Sequence, residues 1–240
     1  MNEIRAVLFD AGATLIRPEP AVEIIYGREL SRDGAAFEEE ALARALTRSW
    51  EDVHREAIPD RYGGIGGESN FWRSFVGRVR RALDGGSVSE EAFQRVTAHF
   101  RDPGSWFIYP DVAGTLDALE TAGYRLGIVS NWDSSLPALL EGLGLAGSFE
   151  AILVSAVEEV GKPDAEIFHR ACARLGIEPG QALHVGDALR EDYEGARGAG
   201  LRALLLDRLD RQAAPAEKIR SLDEIVPLLR AESREPRAES

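Results

Sequence analysis

Cysteine and lysine are nearly missing from this sequence: Cys172 stands alone, and Lys162 and Lys218 are the only lysines among 28 cationic side chains. A single cysteine excludes an intramolecular disulfide framework and suits a reducing compartment. Cys172 falls with Ile167, Phe168, Ala171 and Leu175 at helical spacing, which reads as a buried structural thiol rather than a nucleophile. No apolar run approaches the roughly 18 residues that span a bilayer, so no membrane segment is expected. The N-terminus lacks a basic n-region and an extended apolar h-region, and a cytoplasmic location is expected. Cationic charge is also short: the formal net charge is −13, which argues against nucleic acid or an anionic membrane as partner, because both are bound through clustered Lys and Arg. Any anionic ligand has to be met by local cations, and the scarcity of lysine draws attention to Lys162.

Short Val, Ile and Leu runs occur at about 5–9, 125–130, 151–155, 182–185 and 202–206. They are too short for helices and read as strands of a parallel sheet buried on both faces. Helical patterns lie between them. Asp111 is placed to cap a helix closing at Gly123, and further helices are expected near 134–143, 164–175, 190–198 and 221–230. This alternation predicts an α/β fold, a Rossmann-like doubly wound parallel sheet whose ligands bind at the carboxyl ends of the strands.

Residues 18 to about 107 break the alternation. One helix there carries Leu42, Leu46, Trp50 and Val53 on a face, a second Phe71, Phe75, Val79 and Leu83, and a third Phe93, Val96 and Phe100 after Ser89. The expected organisation is therefore a core from 1–17 and 108–230 with an α-helical insertion at 18–107. The glycine-rich stretch Tyr62 to Asn70 lacks the Gly-Lys-Ser/Thr ending of a phosphate loop and reads as a flexible connection. Residues 231–240 are charged, without apolar periodicity, and are expected to be disordered.

Four strand ends carry the chemistry-bearing residues. The first strand runs into Phe9-Asp10-Ala11-Gly12-Ala13-Thr14, placing a carboxylate at the sheet edge before a turn of small residues; an Asp at that place serves equally as a helix cap. The second ends in Ser130-Asn131, a hydroxyl and an amide leading into a helix N-terminus that favours anions. Gly161-Lys162-Pro163-Asp164 follows the third strand, and the fourth ends in His184-Val185-Gly186-Asp187 with Asp192 five residues on. Carboxylates gathered in this way repel unless a cation or proton intervenes.

Taken in order, Asp-x-x-x-Thr, Ser-Asn, Lys-Pro and Gly-Asp-x-x-x-x-Asp resemble the four motifs of the haloacid dehalogenase (HAD) superfamily, over nearly the whole chain and with a helical insertion that looks like that family's cap. The resemblance implies a hydrolase in which Asp10 is the nucleophile. It further implies that Mg²⁺ is held by Asp10, the Gly12 carbonyl and Asp187, with Asp192 on or just outside that shell. Ser130 and the Asn131 amide would bind phosphoryl oxygens, and Lys162 would offset the charge of nucleophile and substrate. The substrate class implied is a small phosphorylated metabolite.

The family's phosphatases carry a second Asp two residues after the nucleophile as general acid, and here that position is Gly12. One expectation is a phosphatase whose leaving group needs little protonation, or which takes its acid from the cap, with His54, Glu68 and His99 as candidates. A second is a 2-haloacid dehalogenase, whose halide leaves unaided and which needs no metal; the retained Asp187 and Asp192 speak against it. A third is a non-catalytic binding or regulatory protein on the same fold. A lysine-dependent phosphonoacetaldehyde hydrolase does not fit, because residues 18–107 contain no lysine. Trp72, Trp132 and the glycine-rich stretch are the candidates to touch substrate.

Overall fold

The protein is described by a computed structural model for residues 3–32, 36–55, 64–213 and 216–234. Its centre is a six-stranded sheet: β1 (Ala6–Phe9), β4 (Arg125–Ser130), β5 (Ala151–Val154), β6 (Ala182–Gly186), β7 (Arg202–Leu206) and β8 (Lys218–Ile219). The strands are all parallel, in the order β5-β4-β1-β6-β7-β8. The α/β fold, the five longer strands and the parallel sense agree with the sequence expectation; β8 has only two residues, too few to show a period.

β1 shows why a continuous apolar run becomes a central strand. Val7 and Phe9 point into one hydrophobic cluster with Leu116, Ile128, Leu140 and Val185, while Ala6 and Leu8 point into a second with Val129, Phe168, Cys172 and Leu205. Each large side chain so buried contributes roughly 1.5–3 kcal/mol. Helices cover both faces: α5 (Val112–Thr121), α6 (Leu136–Gly142) and α10 (Ile225–Arg234) on the first, α8 (Ala165–Arg174) and the short α9 (Gly195–Gly198) on the second. A single turn, α7 (Ser155–Glu158), follows β5. Cys172 is buried, and burial followed by the charge of Glu178 pushes its thiol up to about 11, in keeping with a structural role.

The remaining helices form a separate layer: α1 (Val22–Ser31), α2 (Glu39–Arg55), α3 (Gly64–Asp84) and α4 (Glu90–Arg101). Their apolar faces meet in a third cluster built from Tyr26, Leu30, Leu42, Leu46, Phe75, Val79, Phe93 and Val96. Ser89 caps α4 by accepting the Ala92 N–H, as its position predicts. The chain leaves the sheet through β2 (Ile16–Pro18) and returns through β3 (Trp106–Ile108), which pair antiparallel in a two-stranded ribbon.

Several local expectations are corrected. α1 was not anticipated. The glycine-rich stretch is helical from Gly64 onward, because Glu68 and Trp72 anchor that turn across to the sheet side; Tyr62 and Gly63 lie outside the described residues. Asp111 stands at the start of α5 but does not cap it. Its carboxylate instead accepts from Nη1 and Nη2 of Arg208, the Ser221 hydroxyl and the Leu222 N–H. α10 extends to Arg234, four residues into the stretch expected to lack structure, and 235–240 lie outside the described residues. Among the described residues no helix is long and apolar enough to cross a membrane.

Candidate active site

The carboxyl ends of β1, β4 and β6 lie side by side where the sheet reverses its winding, so Asp10, Ser130 and Asp187 converge from three neighbouring strands. Asp10 Oδ1 accepts hydrogen bonds from the Ser130 hydroxyl at 2.9 Å and from Lys162 Nζ at 2.7 Å. Lys162 Nζ also donates to Asp192 Oδ1 at 2.6 Å. The Asn131 side chain holds the lysine in place from its backbone: its amide donates to the Lys162 carbonyl at 2.8 Å and its oxygen accepts the Lys162 N–H at 2.7 Å.

Asp192 reaches this cluster from a helix wound as a π-helix over Leu189–Glu194. Such widened turns change which way a side chain points and recur at functional sites. Its Oδ2 accepts the Ala188 N–H at 3.0 Å, and its carboxylate lies directly over Gly186, where a Cβ would stand 2.2 Å from Asp192 Cγ. His184, fully buried in β6, contacts Asp192 Oδ1 through Nε2 at 2.9 Å. Burial holds this imidazole's pKa below its usual range against the pull of Asp192, so the ring is neutral and Nε2–H is the donor. The sequence displayed His184 in its motif without suggesting this task; a histidine inside an otherwise apolar strand was the available signal.

Carboxylate oxygens of Asp10, Asp187 and Asp192 all lie within 4.8 Å of one another. Burial, then the negative charges of Asp10 and Asp192, push Asp187 up to about 7. Asp10 is also raised, by burial first and Asp192 next, against the pull of Lys162. Asp192 moves the other way: burial is outweighed by Lys162 and His184, which hold its carboxyl below the usual range. Lys162, although buried, is raised by the two aspartates and stays an ammonium. Three carboxylates beside one ammonium leave two negative charges uncompensated, and the donors are hard oxygens. That set fits a divalent cation such as Mg²⁺. Asp192 is already engaged by Lys162, His184 and Ala188, which suits a place behind the metal ligands better than among them.

Gly12 lies against the Trp132 ring, and a Cβ there would come within 3.1 Å of it. Of the three cap residues considered as acids, Glu68 is held by Ser134, accepting its N–H at 2.6 Å and its hydroxyl at 2.7 Å. Among the described residues His99 Nε2 is buried without a hydrogen-bond partner, and the His54 side chain lies outside them.

The haloacid dehalogenase-like hydrolase profile matches residues 4–200, a span containing every residue of this cluster. The chain belongs to the haloacid dehalogenase-like hydrolases. Over 243 residues, 92% of this chain and 98% of the other, it is 31% identical to the phosphoserine phosphatase of Thermus thermophilus. A 2-haloacid dehalogenase from Pseudomonas syringae superposes with a TM-score of 0.63 at 27% identity, covering 96% of this chain and 99% of that one. The magnesium-bound YfnB protein of Bacillus subtilis, at 20% identity, shares the fold with a TM-score of 0.76 over 95% of this chain and all of the other. Relatives of this hydrolase thus include both phosphatases and dehalogenases, and the choice between them rests on the site.

Proposed function

We propose that this HAD-like hydrolase is a Mg²⁺-dependent phosphatase of a small phosphorylated metabolite, working through an aspartyl-phosphate on Asp10. The observation that carries the reading is the cluster of Asp10, Asp187 and Asp192 around a single ammonium. A halide-displacing enzyme needs one ionised nucleophile and gains nothing from two further buried acids, each of which costs desolvation. In this reading residues 1–17 and 108–230 are the catalytic core and 18–107 the cap that selects substrate.

Lys162 pulls Asp10 toward its ionised form against burial and leans its charge toward the phosphoryl oxygens. Ser130 donates to Asp10 at rest and turns to a phosphoryl oxygen when substrate arrives, joined by the Asn131 backbone amide. Asp10 attacks phosphorus in line; the P–O bond to the leaving group breaks, and water then cleaves the acyl phosphate. Asp10, the Gly12 carbonyl and Asp187 would hold Mg²⁺, which when bound supplies positive charge against the phosphoryl oxygens. Asp192 would steady that set from behind.

The test is phosphate release from p-nitrophenyl phosphate with and without Mg²⁺, for the native protein and Asp10→Asn, beside halide release from 2-chloropropionate. Mg²⁺-dependent release that Asp10→Asn abolishes is expected. Halide released without metal would assign the dehalogenase reaction instead, and no turnover on a broad panel of phosphate esters would leave a binding or regulatory role.

A further inference from the structure

All four tryptophans of the chain, Trp50, Trp72, Trp106 and Trp132, line one cavity of about 250 Å³, together with Phe75 and Phe100. It lies between the helical layer and the carboxyl end of the sheet. Its floor is Asn131 and Trp132, the two residues after Ser130, and the Trp132 ring abuts Gly12. The cavity therefore reaches the residues next to Ser130 and the ring that lies on the turn after Asp10, the side on which the part of a substrate beyond its phosphoryl group can extend.

Several of the polar groups in its wall are already engaged by the protein. Trp72 Nε1 donates to Asp133, and Trp106 Nε1 donates to the Phe100 carbonyl at 3.0 Å. The Thr97 hydroxyl donates to the Phe93 carbonyl at 3.0 Å, the Ser135 hydroxyl donates to Asp133, and the Asn131 side chain brackets Lys162. A sugar or polyol placed here would lose water from each hydroxyl and find these groups already committed, which disfavours it. A flat ring finds the faces and edges of Trp50, Trp72, Phe75, Phe100, Trp106 and Trp132 in the wall. Arg101, exposed at the rim, is the cation available there to a further acidic group on the ligand.

A second, independent observation points the same way. Gly12 offers no proton to a departing oxygen. An alkoxide, with a conjugate acid near that of water at about 15.7, requires one, whereas a phenolate, at about 10, departs as the anion. We propose that the substrate is the phosphate monoester of an aromatic alcohol, its ring among the tryptophans and its phosphoryl group at Asp10. This rests on the phosphatase reading. The Asp10 oxygen bonds to phosphorus as the P–O(aryl) bond breaks and the aryl oxygen keeps the electron pair. Water then adds to phosphorus as the bond from the Asp10 oxygen to phosphorus breaks and its electron pair returns to the carboxylate; the water's protons leave with the phosphate, and the phenolate takes one of them from the released phosphate.

The experiment has two arms on the full chain. With Mg²⁺, kcat/KM is measured for 2-naphthyl, phenyl, benzyl and glycerol phosphates. The two aryl esters are expected about 100-fold above glycerol phosphate. Benzyl phosphate, with a ring but an alkoxide leaving group, should match phenyl phosphate in KM and fall below it in kcat. Without phosphate chemistry, 2-naphthol is titrated by calorimetry, with saturable binding expected in the native protein and about tenfold weaker binding in Trp72→Leu. Val22→Phe, which narrows the cavity without removing a ring, serves if that variant does not fold. Glycerol phosphate turned over as well as the aryl esters, with no naphthol bound, overturns the inference and leaves the phosphatase reading standing. Naphthol bound with no phosphate released from any ester overturns the phosphatase reading, and the substrate assignment with it.

Discussion

Lys162 serves two of the three clustered acids, Asp10 and Asp192, and Asp187 is the one without an ion pair to it. Its carboxyl, pushed up to about 7 by burial and by Asp10 and Asp192, is stabilised as the anion only when a cation joins it. The sign follows: a folded pKa above the unfolded value of about 3.9 opposes folding once the pH exceeds that lower value, and a bound divalent ion removes the penalty. Mg²⁺ is accordingly expected to raise the melting temperature at pH 7 to 8, by about 2.7 kcal/mol of stability at a hundredfold excess over Kd. Asp187→Asn should abolish that increment while raising the metal-free melting temperature; an unchanged Mg²⁺ response in the variant would remove Asp187 from the metal set. Gly186→Ala tests the neighbouring contact. A methyl forced onto the Asp192 carboxylate should cost about 1–3 kcal/mol in urea unfolding and displace Asp192 from Lys162. Asp10 and Asp187 were legible because each stands directly after an apolar run, and Lys162 and Asp192 because of their place in the ordered motifs that follow such runs. What His184 does was not, since nothing in a linear pattern says that position 184 faces position 192 across a widened turn.

α5 is tied to the far end of the fold by Asp111, whose carboxylate joins the start of that helix to Arg208 after β7 and to Ser221 and Leu222 before α10. Burial raises this carboxyl, but the Arg208 hydrogen bonds and the Leu222 N–H outweigh it and the pKa ends below the usual range. A depressed pKa contributes stability that is present above about 3.9 and lost as the pH falls through the lower folded value. Asp111→Asn should therefore cost about 1–3 kcal/mol in urea unfolding at pH 7, and markedly less near pH 2. A pH-independent difference would assign the loss to packing instead. Sequence placed Asp111 at the right helix start and gave it the wrong task, because a cap and a long-range ion pair look identical when the partner is 97 residues away. β2 and β3 escaped notice for a related reason: three residues show no period, and only pairing across the whole insertion makes them strands. α1 carried a usable signal in Val22, Ile25, Tyr26 and Leu30.

The helical layer and the sheet are joined at the loop after β4 as well as through the ribbon. Glu68 clasps the Ser134 amide and hydroxyl, and Trp72 clasps Asp133, so α3 is fastened to the loop that begins with Ser130 and Asn131. Opening of the aromatic cavity has to break these contacts. Glu68→Ala should speed amide exchange at 133–136 and raise KM for the substrate more than it lowers kcat, readable by hydrogen exchange with mass analysis and by steady-state kinetics. Unchanged exchange at those amides would mean that the layer is held by packing alone.

The ribbon has an implication of its own. Because Ile16 pairs with Ile108 and Pro18 with Trp106, the points where the chain departs from the sheet and rejoins it stand next to each other. Everything between them is topologically a cassette on a two-stranded stem. It can be exchanged for the corresponding piece of a relative without altering the order or direction of a single strand in the sheet. On the proposed reading, in which the inserted helices select the substrate, substrate preference becomes a transplantable property, able to diverge between lineages while the groups at the strand tips stay where they are.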